Sequence, residues 1–394
     1  MAIDFMGQAQ AMRDALVERR RDFHRHPELA FEEFRTAGIV AQELNALGLE
    51  VQTGVGKTGV VAVLEGAHEG PTVLVRADMD ALPIHEETGF EFASTVAGKM
   101  HACGHDGHMT IALGTAKLLS QQRDRMAGRV KFVFQPAEEI GLGARAMVDD
   151  GVLHDPRPDV SVGLHLWNSL PLGTIGVADG PVMAGASVFD VKVTGKGAHA
   201  ALPHQGIDPV LCASHLVTAF QSIVSRSIDP LDTIVISVTK IHAGEAYNVI
   251  PQTADMSGTI RYFRAEVRDQ AVERLKAIAV NLGKAMGCSV DVSVKDLTIP
   301  VVNDPRVGER LRDLFAQYVG KEGLDTSVRT MGAEDVSLYM DDIPGMYFLL
   351  GAQDTAQDTY YGHHHPRFSI TEDSLPLGVA LLSTAVASYV LPEA

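Results

Sequence analysis

Eight consecutive residues, His101-Ala102-Cys103-Gly104-His105-Asp106-Gly107-His108, hold three histidines, one cysteine and one aspartate. Imidazole, thiolate and carboxylate together suit a divalent transition metal, with Zn²⁺ or Mn²⁺ the usual occupants. Gly104 and Gly107 let the backbone bend so that neighbouring side chains can converge. A short Cys/His tract alone is equally compatible with a surface loop that picks up metal adventitiously.

Ligand-type residues recur at the ends of apolar runs elsewhere. Thr72 to Val75 leads into Asp78 and Asp80, Arg129 to Phe134 into Glu138 and Glu139, and Asp159 to Leu166 ends around His165. In open α/β sheets, ligand chemistry sits just beyond the carboxyl ends of strands. Asp78 and Asp80 can serve there or simply accept from turn amides. Adjacent carboxylates repel, so Glu138 and Glu139 in one site call for a positive partner such as a metal. Neighbouring side chains diverge, so one carboxylate can ligate while the other works as general base.

A second histidine run, His363-His364-His365, lies inside the chain. Cys103, His105, Glu139, His165 and one histidine of that run supply enough ligands for two divalent ions. A single cysteine mixed with N and O ligands differs from a closed structural zinc site and favours a catalytic one with open positions. A thiolate can bridge two cations, and a metal pair that activates water and polarises a carbonyl suits hydrolysis.

The elements that must hold these residues read as α/β. Helices are expected over 7–25 and 32–47, the second with Phe34, Val40, Leu44 and Leu47 inward, and near 108–119. Buried strands are expected at 60–64, 72–75, 129–134 and 159–166. From about Ala184 the pattern changes: Phe189, Val191 and Val193 alternate with Asp190, Lys192 and Thr194, as in a half-exposed antiparallel strand. The following order, β-α-β-β-α-β over about 110 residues, is ferredoxin-like and reads as an inserted domain. After Pro300 the α/β pattern returns, with Met331-Gly332-Ala333-Glu334-Asp335 in between. Gly54-Val55-Gly56-Lys57-Thr58-Gly59 lacks the order of a phosphate loop.

Length and composition agree. A chain of 394 residues exceeds one ordinary core, so two domains are expected. The net charge of −17 argues against nucleic-acid and anionic-membrane partners. No run of 18 apolar residues and no secretory pattern in the first residues is visible. Three cysteines fit a reducing cytoplasm better than a disulfide framework.

The stretches 76–84 (RADMDALPI), 100–109 (MHACGHDGHM), 134–139 (FQPAEE), 163–167 (GLHLW), 195–204 (GKGAHAALPH), 248–251 (NVIP), 258–263 (GTIRYF) and 364–368 (HHPRF) closely resemble bacterial N-acyl-amino-acid amidohydrolases. That family includes hippurate hydrolases and aminoacylases. Plant hydrolases of indole-acetic-acid conjugates and N-acetyldiaminopimelate deacetylases are relatives. The resemblance implies an α/β catalytic domain, residues 1–184 and 297–394, with a central mostly parallel sheet flanked by helices. It implies an inserted α+β lid, residues 185–296, that also mediates a homodimer or higher homo-oligomer. It makes Cys103, His105, Glu139, His165 and His364 ligands of two divalent ions, Mn²⁺ or Zn²⁺, with Ni²⁺ or Co²⁺ as further candidates. Glu138 would be the general base. Asp80 occupies the aspartate of a superfamily H-x-D motif that orients a metal ligand, and Asp78 replaces its histidine. From the lid, His199 would reach the scissile carbonyl oxygen, often from the partner subunit, while Asn248 and Arg261 would contact substrate. The implied reaction is hydrolysis of the amide bond of an N-acyl amino acid. A dipeptidase, a carboxypeptidase or an N-acetyldiaminopimelate-type deacetylase would use the same site. A non-catalytic metal binder and a Cys103 thiol enzyme are more distant alternatives.

Overall fold

The structure is a computed structural model that describes residues 3–354 and 360–392. Its chain divides into two compact units. The first comprises Met1–Gly180, Val302–Arg329 and Asp335–Ala394, and the second Pro181–Val301 and Thr330–Glu334.

In the first unit, strands β1 (Glu50–Val55), β2 (Gly59–Glu65), β3 (His68–Asp78), β4 (Ala127–Gln135) and β5 (Val160–Trp167) belong to an eight-stranded sheet. Its order is β1-β2-β4-β3-β5, followed by Gly345–Gly351, Ile175–Gly176 and Leu324–Asp325. The central strands β4, β3, β5 and Gly345–Gly351 run parallel. β1 and β2 add an antiparallel edge. Parallel strands are covered on both faces, which is why β4 and β5 read as unbroken apolar runs rather than alternating ones. Helices His105–Ser120 and Ser374–Val390 pack on each other and on these strands, and both are buried nearly all round.

Several local expectations change. The expected helix over 7–25 is two helices, Phe5–Ala11 and Arg13–Arg25, broken where Met12 turns its N–H to Ala9 O. Phe34, expected inward, is 71% exposed. It opens the helix Phe34–Ala46 six positions before Val40, about 100° away from the middle of the Val40–Leu44 stripe at 3.6 residues per turn. β1 carries no apolar run because it is an exposed edge strand. A short helix, Gly143–Asp149, follows the Glu138–Glu139 segment.

The second unit is an antiparallel sheet in the order Ser289–Thr298, Gly180–Thr194, Thr253–Tyr262, Ile234–Ala243. In chain order that is 4-1-3-2, the ferredoxin-like arrangement. Helices Pro209–Arg226 and Ala265–Ala285 bury one face through Leu216, Phe220 and Leu275 against Phe189, Val191 and Val193. Asp208 caps the first of these helices by accepting from the N–H groups of Val210 and Leu211, with Pro209 at the first position. The unit also takes in Thr330–Ala333, paired with Met183 and Ala184, a strand too short to carry a sequence signal. Among the described residues, no helix is long and apolar enough to cross a membrane.

Phe132 lies fully buried in β4 at the centre of the large core. Phe132→Ala is expected to lower unfolding stability by about 3–5 kcal/mol, read as a lower urea midpoint at unchanged slope.

Candidate metal centre

β3 and β4 are parallel neighbours, and their last residues, Asp78 and Gln135, are paired in register. The loops that follow therefore leave the sheet side by side, one carrying Asp80 and the other Glu138 and Glu139. Asp80 ties them together: Oδ1 accepts from the Glu138 N–H and Oδ2 from the Glu139 N–H, each at 3.0 Å. The aspartate is fully buried, so both bonds are shielded from water.

Helix His105–Ser120 begins after Gly104, whose φ of +94° is a left-handed value that glycine adopts freely. Its first residue, His105, donates from Nδ1 to the backbone carbonyl of Asp80 at 2.8 Å. That bond fixes the tautomer and leaves Nε2 as a lone-pair donor. Nε2 is buried without a hydrogen-bond partner. It faces Asp78 at 3.6 Å, Glu139 at 3.8 Å and Glu138 at 3.9 Å. Burial opposes charge on this imidazole, but the acids around it, Asp78 foremost, draw its pKa up to about 10. A site that holds a proton this tightly is one that a cation can occupy instead.

β5 contributes His165. It donates from Nδ1 to Leu166 O at 2.9 Å and turns Nε2 to the Cys103 sulfur at 3.6 Å. Burial, with His108 and His363 alongside, holds its pKa well below the usual imidazole value, so it is neutral and ready to ligate. The left-handed His364, at φ +66°, is held by its N–H on Ala102 O and places Nε2 3.2 Å from Glu139 Oε2. Burial raises the Glu139 pKa, but the bond from His364 and the nearby His105 outweigh it and lower it.

The candidate ligand atoms fall into groups within 4.8 Å of one another: Cys103 with His105 and His165, and Cys103 with Glu139 and His364. Glu138 joins a third with His105 and Glu139. The five residues expected as ligands thus form two sets that share the thiol. A shared soft donor, an unpartnered buried Nε2, an unpartnered Glu139 Oε1 and a surplus of buried acid fit a pair of divalent cations.

Neighbouring residues are committed elsewhere. His108 donates from Nδ1 to Asp78 at 2.7 Å and accepts at Nε2 from the Leu166 N–H at 2.8 Å, so neither ring nitrogen is left to ligate. Asp78 accepts from His108 on one oxygen and from Arg76 on the other at 2.7 Å. Burial would raise its pKa, but His105, His108 and Arg76 hold it well below the carboxylate range. Arg76 also donates to Gln135 and Asp335. Asp335 in turn accepts from Gln135 and from the Ala144 N–H. Asp106 is held by Arg20 and His24. Sequence reasoning assigned Arg76, Gln135 and Asp335 no role and took His108 only as one histidine of the metal-suited run. A charged residue two positions before Asp78 in an apolar strand was the available signal.

His199, Asn248 and Arg261 belong to the second unit. His199 pairs with Val249 in a two-stranded ladder beside Asn248, and its Nδ1 accepts from the Ala201 N–H at 3.1 Å. The ring proton is therefore on Nε2, which can donate. Arg261 is half-buried, and burial lowers its pKa. It lies eight residues along the strand from Thr253, roughly 26 Å at the usual rise, away from the end that leads to His199. The fold brings His199 and Asn248 together and sets Arg261 apart from them.

This fold and side-chain set define a metal-dependent hydrolase of mixed α/β architecture. The sequence matches the profile of Peptidase family M20/M25/M40 over residues 74–388, and the chain belongs to that family. It is 40% identical to N-acetyl-L-cysteine deacetylase of Bacillus subtilis over 91% of this chain and 84% of that protein. It is 39% identical to thermostable carboxypeptidase 2 of Saccharolobus solfataricus, with 93% of both chains covered. The crystal structure of the Bacillus subtilis YXEP protein, a dinuclear metal binding peptidase from the M20 family, superposes with a TM-score of 0.84 at 34% identity. That match covers 96% of this chain and 98% of the other.

Asp80→Ala would leave two part-buried N–H donors without their acceptor and free the Glu138–Glu139 segment. Metal affinity is expected to fall by about 10–100-fold, measured by competition with a chelator. An affinity equal to that of the parent would show that Asp80 does not hold the ligand loop.

Proposed function

We propose that this chain hydrolyses the amide bond of N-acyl amino acids, giving a carboxylate and a free amino acid. The observation that carries the reading is a pair of adjacent carboxylates, Glu138 and Glu139, that one anchored segment brings to 3.9 and 3.8 Å from His105 Nε2. Glu139 turns to His364 and shares a ligand group with Cys103, while Glu138 stands beside His105, its Oε2 3.9 Å from His105 Nε2. Cys103, His105, Glu139, His165 and His364 would hold two divalent ions, Mn²⁺ or Zn²⁺. The ions, when bound, supply a Lewis acid for the amide carbonyl and lower the pKa of water.

Glu138 takes the proton from the attacking water and passes it to the leaving nitrogen, which needs a carboxylate that is close by but not itself consumed as a ligand. Asp80 acts through the backbone, setting where Glu138 and Glu139 begin. His199, with its proton on Nε2, donates to the oxygen that becomes negative in the tetrahedral intermediate. Arg261 offers a guanidinium for the amino acid carboxylate, and Asn248 a further polar contact. The separation of His199 from Arg261 within one chain supports a homodimer in which His199 serves the partner's site. A deacetylase among the relatives supports the blocked amine as substrate. The carboxypeptidase relative keeps a peptide substrate as the second reading.

The test is to strip metal with a chelator, add back Mn²⁺, Zn²⁺, Co²⁺ or Ni²⁺, and assay N-benzoylglycine, N-acetylmethionine and Ala-Ala side by side. Metal-restored cleavage of the two blocked substrates with little on the dipeptide is expected. Preference for the dipeptide would move the assignment to a peptidase.

Glu138→Ala is expected to cost on the order of 10²–10⁴ in kcat while both ions stay bound. Near-parental turnover in the metal-loaded variant would remove Glu138 from the role of base.

A further inference from the structure

Two sequence stretches have no part in the chemistry described so far: residues 28–33, after the first helices, and the glycine-rich residues 54–59. Both meet at Glu33, which bonds the segment that carries Glu138 and Glu139. Glu33 is completely buried. Its Oε1 accepts from the Ala137 N–H at 2.9 Å and from the Phe31 N–H at 3.0 Å, and its Oε2 accepts from the Thr58 hydroxyl. With the two bonds to Asp80, three consecutive N–H groups, those of Ala137, Glu138 and Glu139, each end on a buried carboxylate.

Backbone conformation points to the same place. Four non-glycine residues have positive φ among the described residues, and three of them lie here: Phe31 at 62°, Lys57 at 80° and Ala137 at 53°. Such conformations are costly and persist where their surroundings over-determine them, most often at functional sites. Each is pinned locally. The Phe31 and Ala137 N–H groups share one Glu33 oxygen. The Lys57 ammonium sits 3.9 Å from the Phe31 ring centroid, and the next residue, Thr58, donates to Glu33. Gly56, just before, donates its N–H to Asp150.

We propose that Glu33, seated by Thr58, is a positioning residue for this site: it fixes the left-handed turn at Ala137 and so sets where Glu138 and Glu139 enter the metal centre. The inference rests on the roles assigned above to those two glutamates. Glu33 belongs to none of the candidate ligand groups. It is an acceptor for three donors, two of them on strained residues, and its loss leaves the Ala137 turn unsupported.

The experiment compares Glu33→Ala, Glu33→Gln and Thr58→Val with the parent. Affinity for Zn²⁺ and Mn²⁺ alone is measured on chelator-stripped protein, then kcat and KM on N-acetylmethionine in the loaded enzyme, with thermal unfolding of the stripped protein alongside. Glu33→Ala is expected to weaken metal affinity by about 10–100-fold and to lower kcat by a similar factor with KM nearly unchanged. Glu33→Gln keeps one carbonyl oxygen for the two N–H groups and turns its amide to Thr58, so it should stay within about threefold of the parent. Thr58→Val, which removes only the hydroxyl, should weaken affinity by about 3–10-fold. Parental metal affinity and kcat in Glu33→Ala, with only the unfolding midpoint lowered, would reduce Glu33 to a structural residue and overturn the proposal. A Gln variant as weak as the Ala variant would also overturn it. If Glu33→Ala does not fold, parental affinity in Thr58→Val overturns it. Because affinity is read with the metal alone, its loss stands even if no N-acyl amino acid is turned over.

Discussion

Four carboxylates, Asp78, Asp80, Glu138 and Glu139, crowd the ends of two adjacent parallel strands, and little water reaches them. Bringing like charges together in a poorly solvated site is costly unless each is hydrogen-bonded or paired. The rest of the first unit answers that constraint. Asp78 is neutralised by Arg76 and His108, and Asp80 by two backbone N–H groups. Glu139 has His364 on one oxygen, while the other makes no hydrogen bond and faces His105 Nε2 at 3.8 Å. The charge left over is gathered around His105 Nε2, which is where a cation belongs.

Parallel pairing makes this crowding possible. Because β3 and β4 run in the same direction and end in register, their loops emerge at one edge, and β5 delivers His165 to that edge as well. An antiparallel pair would have sent Asp80 and Glu138 to opposite ends of the sheet. The arrangement in turn requires strands buried on both faces, supplied by the helices around the sheet. The donors that hold the ligand loops are then mostly backbone groups, whose positions are fixed by the fold itself.

Much of this was legible in the residues. Strand runs ending in acids or histidine marked the site edge, and alternation at Phe189 to Thr194 marked the change to an antiparallel unit whose 4-1-3-2 sheet followed. Where reading failed, the signal was absent or non-local. β1 is an exposed edge strand with no apolar run, and Phe34 is apolar but lies off the buried stripe of its helix. In sequence Glu33 is one acid among several at a helix start. Its partners are Ala137 and Thr58, more than a hundred and some twenty residues away, and no periodicity encodes such a pairing. Gly54 to Gly59 invited comparison with a phosphate loop, and rejecting it on glycine spacing left open what Thr58 was for.

The histidines show how the backbone, more than residue type, selects candidate ligands. Six lie close together in the described residues: His105, His108, His165, His363, His364 and His365. All are chemically equivalent in sequence. His108 has both ring nitrogens engaged, by Asp78 and by the Leu166 N–H. His363 donates to Leu166 O and packs on Trp167, while His365 stacks on Tyr361 and accepts from the Arg367 N–H. His105 and His165 each spend Nδ1 on a backbone carbonyl, and that bond turns Nε2 toward the shared thiol. His364 gets there through a strained left-handed turn held by Ala102 O. A candidate metal ligand here is therefore a histidine whose free nitrogen has been oriented by the chain, and a sequence run such as His363-His364-His365 cannot display that distinction until the backbone is folded around it.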